Sequence, residues 1–209
     1  IPGGLLLTVP PINDQYYAVL YDSIIFPDTI VEDEIPTEVI DNKILEYLKA
    51  RIVAPEDYYI IARNFIKYTW IFERFNPLPN LVIFGEYGTG KTDFGSNIAH
   101  LCLNGYRADL ISAAALARIL EVTGGTLMMD ELDRIDKRKD GEELLQVLLV
   151  GYDEAGSYTV AEKDSSKGGK HTPNSYRLGQ PKILVKRDML RNSALNSRCI
   201  PFKMVPRDS

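Results

Sequence analysis

Cysteine and long apolar runs are both scarce in this chain of 209 residues. Its two cysteines, Cys102 and Cys199, lie far apart, whereas a disulfide scaffold needs several cysteines and a zinc site needs closely spaced ones. The longest apolar candidate, residues 144–150, is less than half of the roughly 18 residues that a membrane span requires. We therefore expect no disulfide scaffold, no structural zinc domain and no membrane protein, and a reducing, cytoplasmic compartment is the default.

The amino-terminal sequence also lacks the marks of a secretory signal. It opens Ile1-Pro2-Gly3-Gly4 with no basic residue, and the apolar patch that follows is short. It has no initiator methionine either, so we expect a fragment or a processed chain. With 45% hydrophobic and 25% charged residues, the composition is typical of a soluble globular protein.

Charge is unevenly spread along the chain, whose net charge is −5. Residues 1–80 hold 6 Lys or Arg and 12 Asp or Glu, residues 81–150 hold 7 and 11, and residues 151–209 hold 11 and 6. The basic carboxyl-terminal quarter could contact a polyanion. A solvated surface with incidental asymmetry explains the same pattern equally well, so charge alone leaves both interpretations open.

Hydrophobic patterning predicts an α/β fold with helices before it. Residues 1–40 read as an acidic arm with one short strand that packs on the core, and residues 41–79 read as a helical lead-in. Within that lead-in we expect Asp41 to cap a first helix and residues 56–75 to form a second. Strands then alternate with helices, which predicts three layers around a mostly parallel sheet. The expected strands are 81–84, 108–111, 126–129, 183–185 and 200–202, and the expected helices are 91–103, 113–121 (capped by Ser112) and one from Asp140.

Residues 153–181 interrupt this alternation. Strand-like segments at 157–160 and 175–178 flank a polar loop over residues 164–171, which predicts an inserted β-hairpin with a long, mobile, basic tip. Lys167, Lys170 and His171 lie in that predicted tip.

A phosphate-loop pattern follows the first buried strand. It consists of a glycine, four residues and then Gly-Lys-Thr, and an amphipathic helix comes after it. Glycines let the backbone wrap around phosphates, and the helix directs its positive end at the same anion. Lys91 is expected to neutralise the outer phosphates and the Thr92 hydroxyl to bind Mg²⁺. The predicted nucleotide-binding residues are Gly85, Glu86, Tyr87, Gly88, Thr89, Gly90, Lys91 and Thr92.

An acidic pair ends another apolar strand about forty residues later. Because the carboxyl ends of parallel strands share one edge of a sheet, Asp130 is expected near the phosphate loop. Asp130 is placed to hold Mg²⁺ through water, and Glu131 to polarise the attacking water. The pair favours ATP hydrolysis over GTPase chemistry and disfavours a small-molecule kinase, because kinases exclude water.

These motifs resemble those of AAA+ ATPases and the related superfamily 3 helicases. The chain looks most like the ATPase domains of plasmid- and virus-encoded replication proteins. The resemblance covers residues 52–204 and depends on three segments: the phosphate loop, Met129-Asp130-Glu131-Leu132-Asp133, and Ala194-Leu195-Asn196-Ser197-Arg198-Cys199-Ile200. It implies a three-layer αβα P-loop core over residues 41–209, ATP and Mg²⁺ as ligands, and a location in the cytoplasm, or the host cytoplasm for a mobile element.

The same resemblance implies an assembly and a DNA partner. Arg198 stands where AAA+ rings carry the arginine that reaches into the neighbouring subunit, which implies a homo-oligomeric ring, commonly of six. Pairing of Arg198 with a carboxylate of its own subunit is the alternative. The hairpin stands where superfamily 3 helicases carry a hairpin that grips single-stranded DNA, which implies DNA contacts at Lys167, Lys170 and His171. A mobile surface loop is the alternative.

The resemblance is incomplete at three points. The strand ending at Val185 is followed by Lys186 and Arg187, where the family carries Asn, Ser or Thr, so the water-sensing role is unassigned. Since residue 209 comes just past the last predicted core strand, we expect no carboxyl-terminal helical lid in this chain, and no nuclease or primase motif is visible.

The sequence thus predicts a Mg²⁺-dependent ATPase of a ring-forming, DNA-remodelling motor: a helicase, initiator or loader acting on single-stranded or duplex DNA. A packaging or translocating ATPase would look similar. An ATP-dependent switch that binds a partner through its acidic arm is the alternative from a different class.

Overall fold

The computed structural model of the chain describes residues 24–25, 34–109, 111–130, 132–164 and 170–206. Most of the predicted arm therefore lies outside the described residues, as do Glu131 and Lys167. The helices are α1 (Thr37–Arg51), α2 (Glu56–Thr69), α3 (Lys91–Leu101), α4 (Ala113–Thr123), α5 (Gly141–Val150) and α6 (Ser193–Asn196). The strands are β1 (Ile24–Ile25), β2 (Asn80–Phe84), β3 (Gly105–Ala108), β4 (Leu127–Met129), β5 (Ser157–Asp164), β6 (Lys170–Arg177), β7 (Lys182–Lys186) and β8 (Cys199–Lys203). Short 3₁₀ helices span Phe72–Arg74 and Leu132–Lys137.

Six strands form the main sheet, in the order β1-β3-β4-β7-β2-β8. The five strands from β3 to β8 are parallel to their neighbours, and β1 pairs antiparallel with β3 at one edge. Every residue of β4 and β7 is buried, which explains why these strands read as continuous apolar runs rather than alternating ones. The predicted mostly parallel α/β sheet is confirmed.

Helices cover both faces of this sheet, so the predicted three layers are also confirmed. Leu81 and Ile83 of β2 point to one face, where they pack with side chains of α1, α2 and α3. Val82, between them, points to the other face, where it packs with side chains of α4, α5 and α6. Successive residues of a buried strand therefore supply two separate apolar cores.

The helical lead-in differs from its prediction at both ends. Helix α1 begins at Thr37, directly after Pro36, so Asp41 lies inside the helix and does not cap it. Its carboxylate instead binds α2, with Lys67 Nζ at 2.6 Å and Arg63 Nη1 at 3.5 Å. Helix α2 ends at Thr69 rather than near Phe75, because the Thr69 hydroxyl donates to the Ile66 carbonyl and accepts from the Leu103 amide.

Strand β3 also differs from its prediction, because it ends at Ala108, where the sequence pattern places the start of a strand. Its position is set by close backbone packing at Gly105, where a Cβ would lie 2.0 Å from the Ala99 carbonyl oxygen. The predicted cap of the next helix is confirmed, since the Ser112 hydroxyl accepts from the Ala115 amide at 3.2 Å.

Strands β5 and β6 form the predicted hairpin, as a two-stranded sheet of its own. They pair from Ser157 and Arg177 at the base to Asp164 and Lys170 at the far end. The regular strands are longer than the sequence predicts, and Lys170 and His171 belong to β6 instead of a loop. Cross-strand pairing extends into the polar segment. Side chains of a strand point alternately to its two faces, and on a two-stranded ribbon neither face has to be apolar.

The base of the hairpin is fixed by a buried lysine. Lys182 is fully buried, and its Nζ donates to the carbonyls of Gly151, Leu178 and Gln180 at 3.0, 2.9 and 2.8 Å. These carbonyls lie just before and just after the hairpin, so one ammonium group joins both of its ends to β7. Three acceptors match the three N–H donors of an ammonium group.

Two further observations concern the predicted exclusions. Both cysteines are free thiols. Across the described segments, none of the helices has the length and apolarity needed to cross a bilayer.

Candidate nucleotide site

The predicted phosphate loop lies between the end of β2 at Phe84 and the start of α3 at Lys91. Gly88 and Gly90 have φ of +76° and +77°, a region that other residues rarely adopt. At Gly85, a Cβ would lie 2.4 Å from the Met204 carbonyl oxygen. The three glycines are therefore required by the backbone itself, and together they turn the chain from a strand into a helix within six residues.

Contacts inside the loop hold it in shape. The Thr89 hydroxyl donates to the Glu86 carbonyl at 2.8 Å, and Lys91 Nζ donates to the same carbonyl at 3.2 Å. The Phe94 amide donates to the Gly90 carbonyl at 2.9 Å and closes the first turn of α3. The lysine ammonium thus lies over the loop at the amino-terminal end of a helix, where anions are favoured.

The predicted metal residues lie at the same edge of the sheet. Thr92 is in the first turn of α3, and Asp130 directly follows β4 and is only 7% exposed. Strand β7 lies between β4 and β2, so Asp130 and the loop lie at the same edge of the sheet, with the end of one strand between them.

Asp130 already binds a cation, which sequence analysis does not predict. Arg107 of β3 places Nη2 at 3.2 Å from Asp130 Oδ2 and Nε at 2.9 Å from Asp109 Oδ1. Hydrogen bonding to Asp109, with the charge of Asp130 adding to it, raises the pKa of Arg107. The Asp130 carboxylate is therefore built into a site for positive charge.

These residues fit Mg²⁺, which the fold type implies. A threonine hydroxyl and a carboxylate are the hard oxygen ligands that this ion prefers. Within the described part of the chain, no cluster of three or more His, Cys, Asp or Glu could hold a metal ion. Phosphate and water oxygens would therefore complete the coordination, as is usual for Mg²⁺ with nucleotides.

Arg187, just after β7, contacts the phosphate loop directly. Its carbonyl accepts from the Gly85 amide at 3.0 Å, and its own amide donates to Asp133 Oδ2 at 2.7 Å. Its guanidinium Nε lies 3.0 Å from Glu86 Oε2, and this contact raises the pKa of Arg187. The only sequence signal for this role is the pair of cations that follows the strand at 183–185.

An exposed aromatic ring lies between two cations at the tip of the loop. Tyr87 is 78% exposed. Lys91 Nζ lies 5.3 Å from its ring centroid and Arg187 Cζ lies 5.2 Å from it, both within the range of cation–π attraction. The loop therefore gathers positive charge on its open side.

Arg198 lies at the opposite edge of the sheet from the phosphate loop. Its carbonyl accepts from the amide of Asn80, the first residue of β2, at 3.0 Å. The loop begins five residues later, about 16 Å away at roughly 3.3 Å per strand residue. The Arg198 guanidinium donates to the Leu149 carbonyl at 2.5 Å and lies 5.2 Å from the Tyr152 ring centroid, beside an open groove of about 530 Å³.

The structure thus brings the phosphate loop, Thr92 and Asp130 to one edge of the sheet, whereas Arg198, Lys170 and His171 lie apart from them. His171 is exposed on β6, in the separate hairpin sheet that also holds Lys170. Glu131 follows Asp130 directly but, like Lys167, lies outside the described residues.

Comparison with known proteins gives likenesses only at the level of structure. No protein-family model matches the chain. No curated protein matches its sequence. Among solved structures it is similar to the FIGL-1 AAA domain, at a TM-score of 0.46 and 14% identity over 91% of this chain and 61% of that chain. This chain therefore spans less than two thirds of that chain, and a likeness at this level carries no information about what the protein does.

Proposed function

We propose that this chain is a Mg²⁺-dependent ATPase whose site is completed by other copies of itself. The observation that carries the proposal is the phosphate loop beside Asp130, at the carboxyl edge of a parallel sheet. Strand order, glycine geometry and the helix amino terminus all support one use of this edge, which is binding of a nucleoside triphosphate.

Each residue of the site has a defined part in this proposal. Gly85, Gly88 and Gly90 let backbone amides surround the phosphates, and Lys91 moves from the Glu86 carbonyl to the phosphate oxygens. Thr92 and Asp130 would hold Mg²⁺, which when bound neutralises charge on the phosphates. Glu131 would orient the attacking water and accept its proton.

Arg198 serves the site of a neighbouring copy in this proposal. At about 16 Å from its own loop, on the estimate of roughly 3.3 Å per strand residue, it is out of reach of the phosphates that the loop would hold. A guanidinium stabilises charge on a transferring phosphate, so a ring in which each copy supplies Arg198 to the next would complete every site. We infer a homo-oligomeric ring, of six copies by resemblance.

DNA is the proposed substrate of the motor. The hairpin is a regular two-stranded ribbon, Lys170 and His171 belong to its far end, and Lys167 lies in the sequence between the two strands. Cations on such a ribbon suit backbone contacts with single-stranded DNA. A helicase, initiator or loader is the finer form of this proposal.

Steady-state ATP hydrolysis against protein concentration tests the proposal, with and without single-stranded DNA at low salt. We expect the rate per subunit to increase with concentration and again with DNA. The Lys91→Ala variant, which removes the phosphate-neutralising ammonium, is the control for contaminating ATPases. A protein that binds no ATP would contradict the proposal, and turnover that responds to neither variable would favour the switch.

A further inference from the structure

Arg187 combines a fixed backbone with a weakly held side chain. Its amide and carbonyl are bound on both sides, by Asp133 and by Gly85 of the phosphate loop. Its guanidinium is instead bound by Glu86, whose side chain is 61% exposed, and lies against the exposed ring of Tyr87. Water competes for such an exposed ion pair, so the guanidinium can leave Glu86 at little cost.

The position of Arg187 is as informative as its contacts. It directly follows β7, the strand between the loop strand β2 and the Asp130 strand β4. A nucleotide held by the loop and by Asp130 would extend its terminal phosphate across the end of β7. Two cations stand at that strand end. Lys186 is buried, with its Nζ 3.8 Å from Asp133 Oδ1, whereas Arg187 lies against the phosphate loop and has a planar guanidinium that can bind phosphate through two parallel hydrogen bonds.

We infer that Arg187 is a second phosphate-binding cation of this site, which exchanges Glu86 for the terminal phosphate of a bound nucleoside triphosphate. The inference rests on the proposed function, since it requires nucleotide in the loop. Glu86 is then a competitor that holds the guanidinium in the absence of the terminal phosphate. Arg187 acts within its own subunit, unlike Arg198.

This exchange makes the site sensitive to the number of phosphates. A nucleoside diphosphate lacks the group that draws Arg187 away, so the pair with Glu86 persists. A triphosphate breaks the pair and gains a charged contact. The ratio of the dissociation constants for ADP and for a triphosphate therefore reports the exchange.

Equilibrium binding of ADP and of adenylyl imidodiphosphate, a non-hydrolysable triphosphate, measures that ratio. With Arg187→Ala we expect triphosphate binding to weaken about tenfold, as for loss of one charge-assisted contact, while ADP binding changes little. With Glu86→Gln the ratio should shift several-fold toward the triphosphate, because the competing carboxylate is gone. Arg191→Ala, at an exposed arginine four residues further along, is the matched control and should leave the ratio unchanged.

Combining the two changes provides an internal check. In an Arg187→Ala background, Glu86→Gln should no longer shift the ratio, because the residue that Glu86 holds is absent. A ratio that stays constant in both single variants would overturn the inference while leaving nucleotide binding intact. If Arg187→Ala fails to fold, the ratio of dissociation constants measured with Glu86→Gln is sufficient to test the inference. Failure of the unmodified chain to bind either nucleotide would instead overturn the proposed function as well.

Discussion

The Asp130 carboxylate has two competing cationic partners in the proposed mechanism. Arg107 lies against it in the structure, and Mg²⁺ would approach it when nucleotide binds. Arg107 is also held by Asp109, so it need not leave the site when its contact with Asp130 is lost. This arrangement makes metal binding depend on a residue of β3, a strand that is separated from the phosphate-loop strand β2 by two others.

Replacing Arg107 with Gln should lower the Mg²⁺ concentration needed for half-maximal ATP binding. Removing the guanidinium takes a positive charge away from the Asp130 carboxylate and makes its surroundings more negative. Because the arginine is nearly half exposed, we expect a change of roughly three- to tenfold, about 1 kcal/mol. Titration of Mg²⁺ against a fluorescent ATP analogue measures it. An increased Mg²⁺ requirement would show instead that Arg107 positions Asp130 for the metal.

In the proposed mechanism, Glu131 is needed for ATP hydrolysis but not for ATP binding. Its replacement with Gln keeps the size of the side chain but removes the base that accepts a proton from water. ATP binding should persist, and turnover should fall by a hundredfold or more, in the range typical of general-base loss. Paired binding and hydrolysis assays of the same preparation measure both. Hydrolysis at the original rate would remove Glu131 from the mechanism.

Residues of the site differ in how far sequence alone predicts them. Gly88, Gly90, Lys91 and Thr92 are predictable because one short segment contains the whole geometry. Arg107 and Arg187 are not, because each acts through a partner at least 23 positions away in the chain. An arginine has the same local pattern whether it faces solvent or a carboxylate on another strand.

At the scale of elements, the carboxyl-terminal end of α5 is bound by two cations. Arg198 donates to the Leu149 carbonyl, and Lys182 donates to the Gly151 carbonyl. Positive charge at this end of a helix is favoured by the helix dipole and satisfies carbonyls that have no partner within the helix. Lys182 also binds the two carbonyls that follow the hairpin, so helix, hairpin and sheet meet at one ammonium group.

The stability of this junction should increase with pH above neutrality. Burial lowers the pKa of Lys182 to about 7, from 10.5 when unfolded, so unfolding takes up a proton between these values. The free energy of unfolding should therefore increase by roughly 2 kcal/mol between pH 7 and 8.5, relative to a Lys182→Met variant. Urea unfolding of both proteins at several pH values measures the difference. A constant difference would mean that the three carbonyls preserve an ordinary lysine pKa.

Elements were predicted best where the chain is buried on both faces. Strands β2, β4 and β7 each contain a continuous apolar run of at least three residues, and their positions are correct within a residue or two. The predicted end of α2 was wrong because the helix stops at Thr69, whose hydroxyl accepts a hydrogen bond from the distant Leu103 amide. The hairpin strands were predicted too short, since pairing across a two-stranded ribbon gives little apolar signal.

At the scale of the whole molecule, the two halves of the proposed active site lie at opposite edges of one sheet. Asn80 at the start of β2 binds Arg198, and Gly85 after its end binds Arg187. Such a molecule has two different faces, and repeated contact between unlike faces produces a ring when the rotation closes. This arrangement is why Arg198 is assigned to a neighbouring copy.

Mixing two inactive variants tests that assignment. Arg198→Ala chains retain a complete phosphate loop, and Lys91→Ala chains retain Arg198. Each variant alone should have little turnover, whereas mixtures should regain part of it, because some interfaces then join an intact loop to an intact arginine. Hydrolysis measured across mixing ratios gives the result, and mixtures that stay inactive at every ratio would argue against a role in the neighbouring site.

In the proposed ring, strand β2 would connect the two interfaces of each copy. Four of its five residues, Leu81 to Phe84, pair with both β7 and β8, and Asn80 pairs with β8, so its length is held by the strands on either side. If a bound nucleotide displaces the phosphate loop, β2 would transmit that displacement to Arg198, which serves the nucleotide of the neighbouring copy. In a closed ring of such copies, hydrolysis in one site would change the position of Arg198 in the neighbouring site. The order in which the sites hydrolyse ATP would then depend on the rigidity of β2.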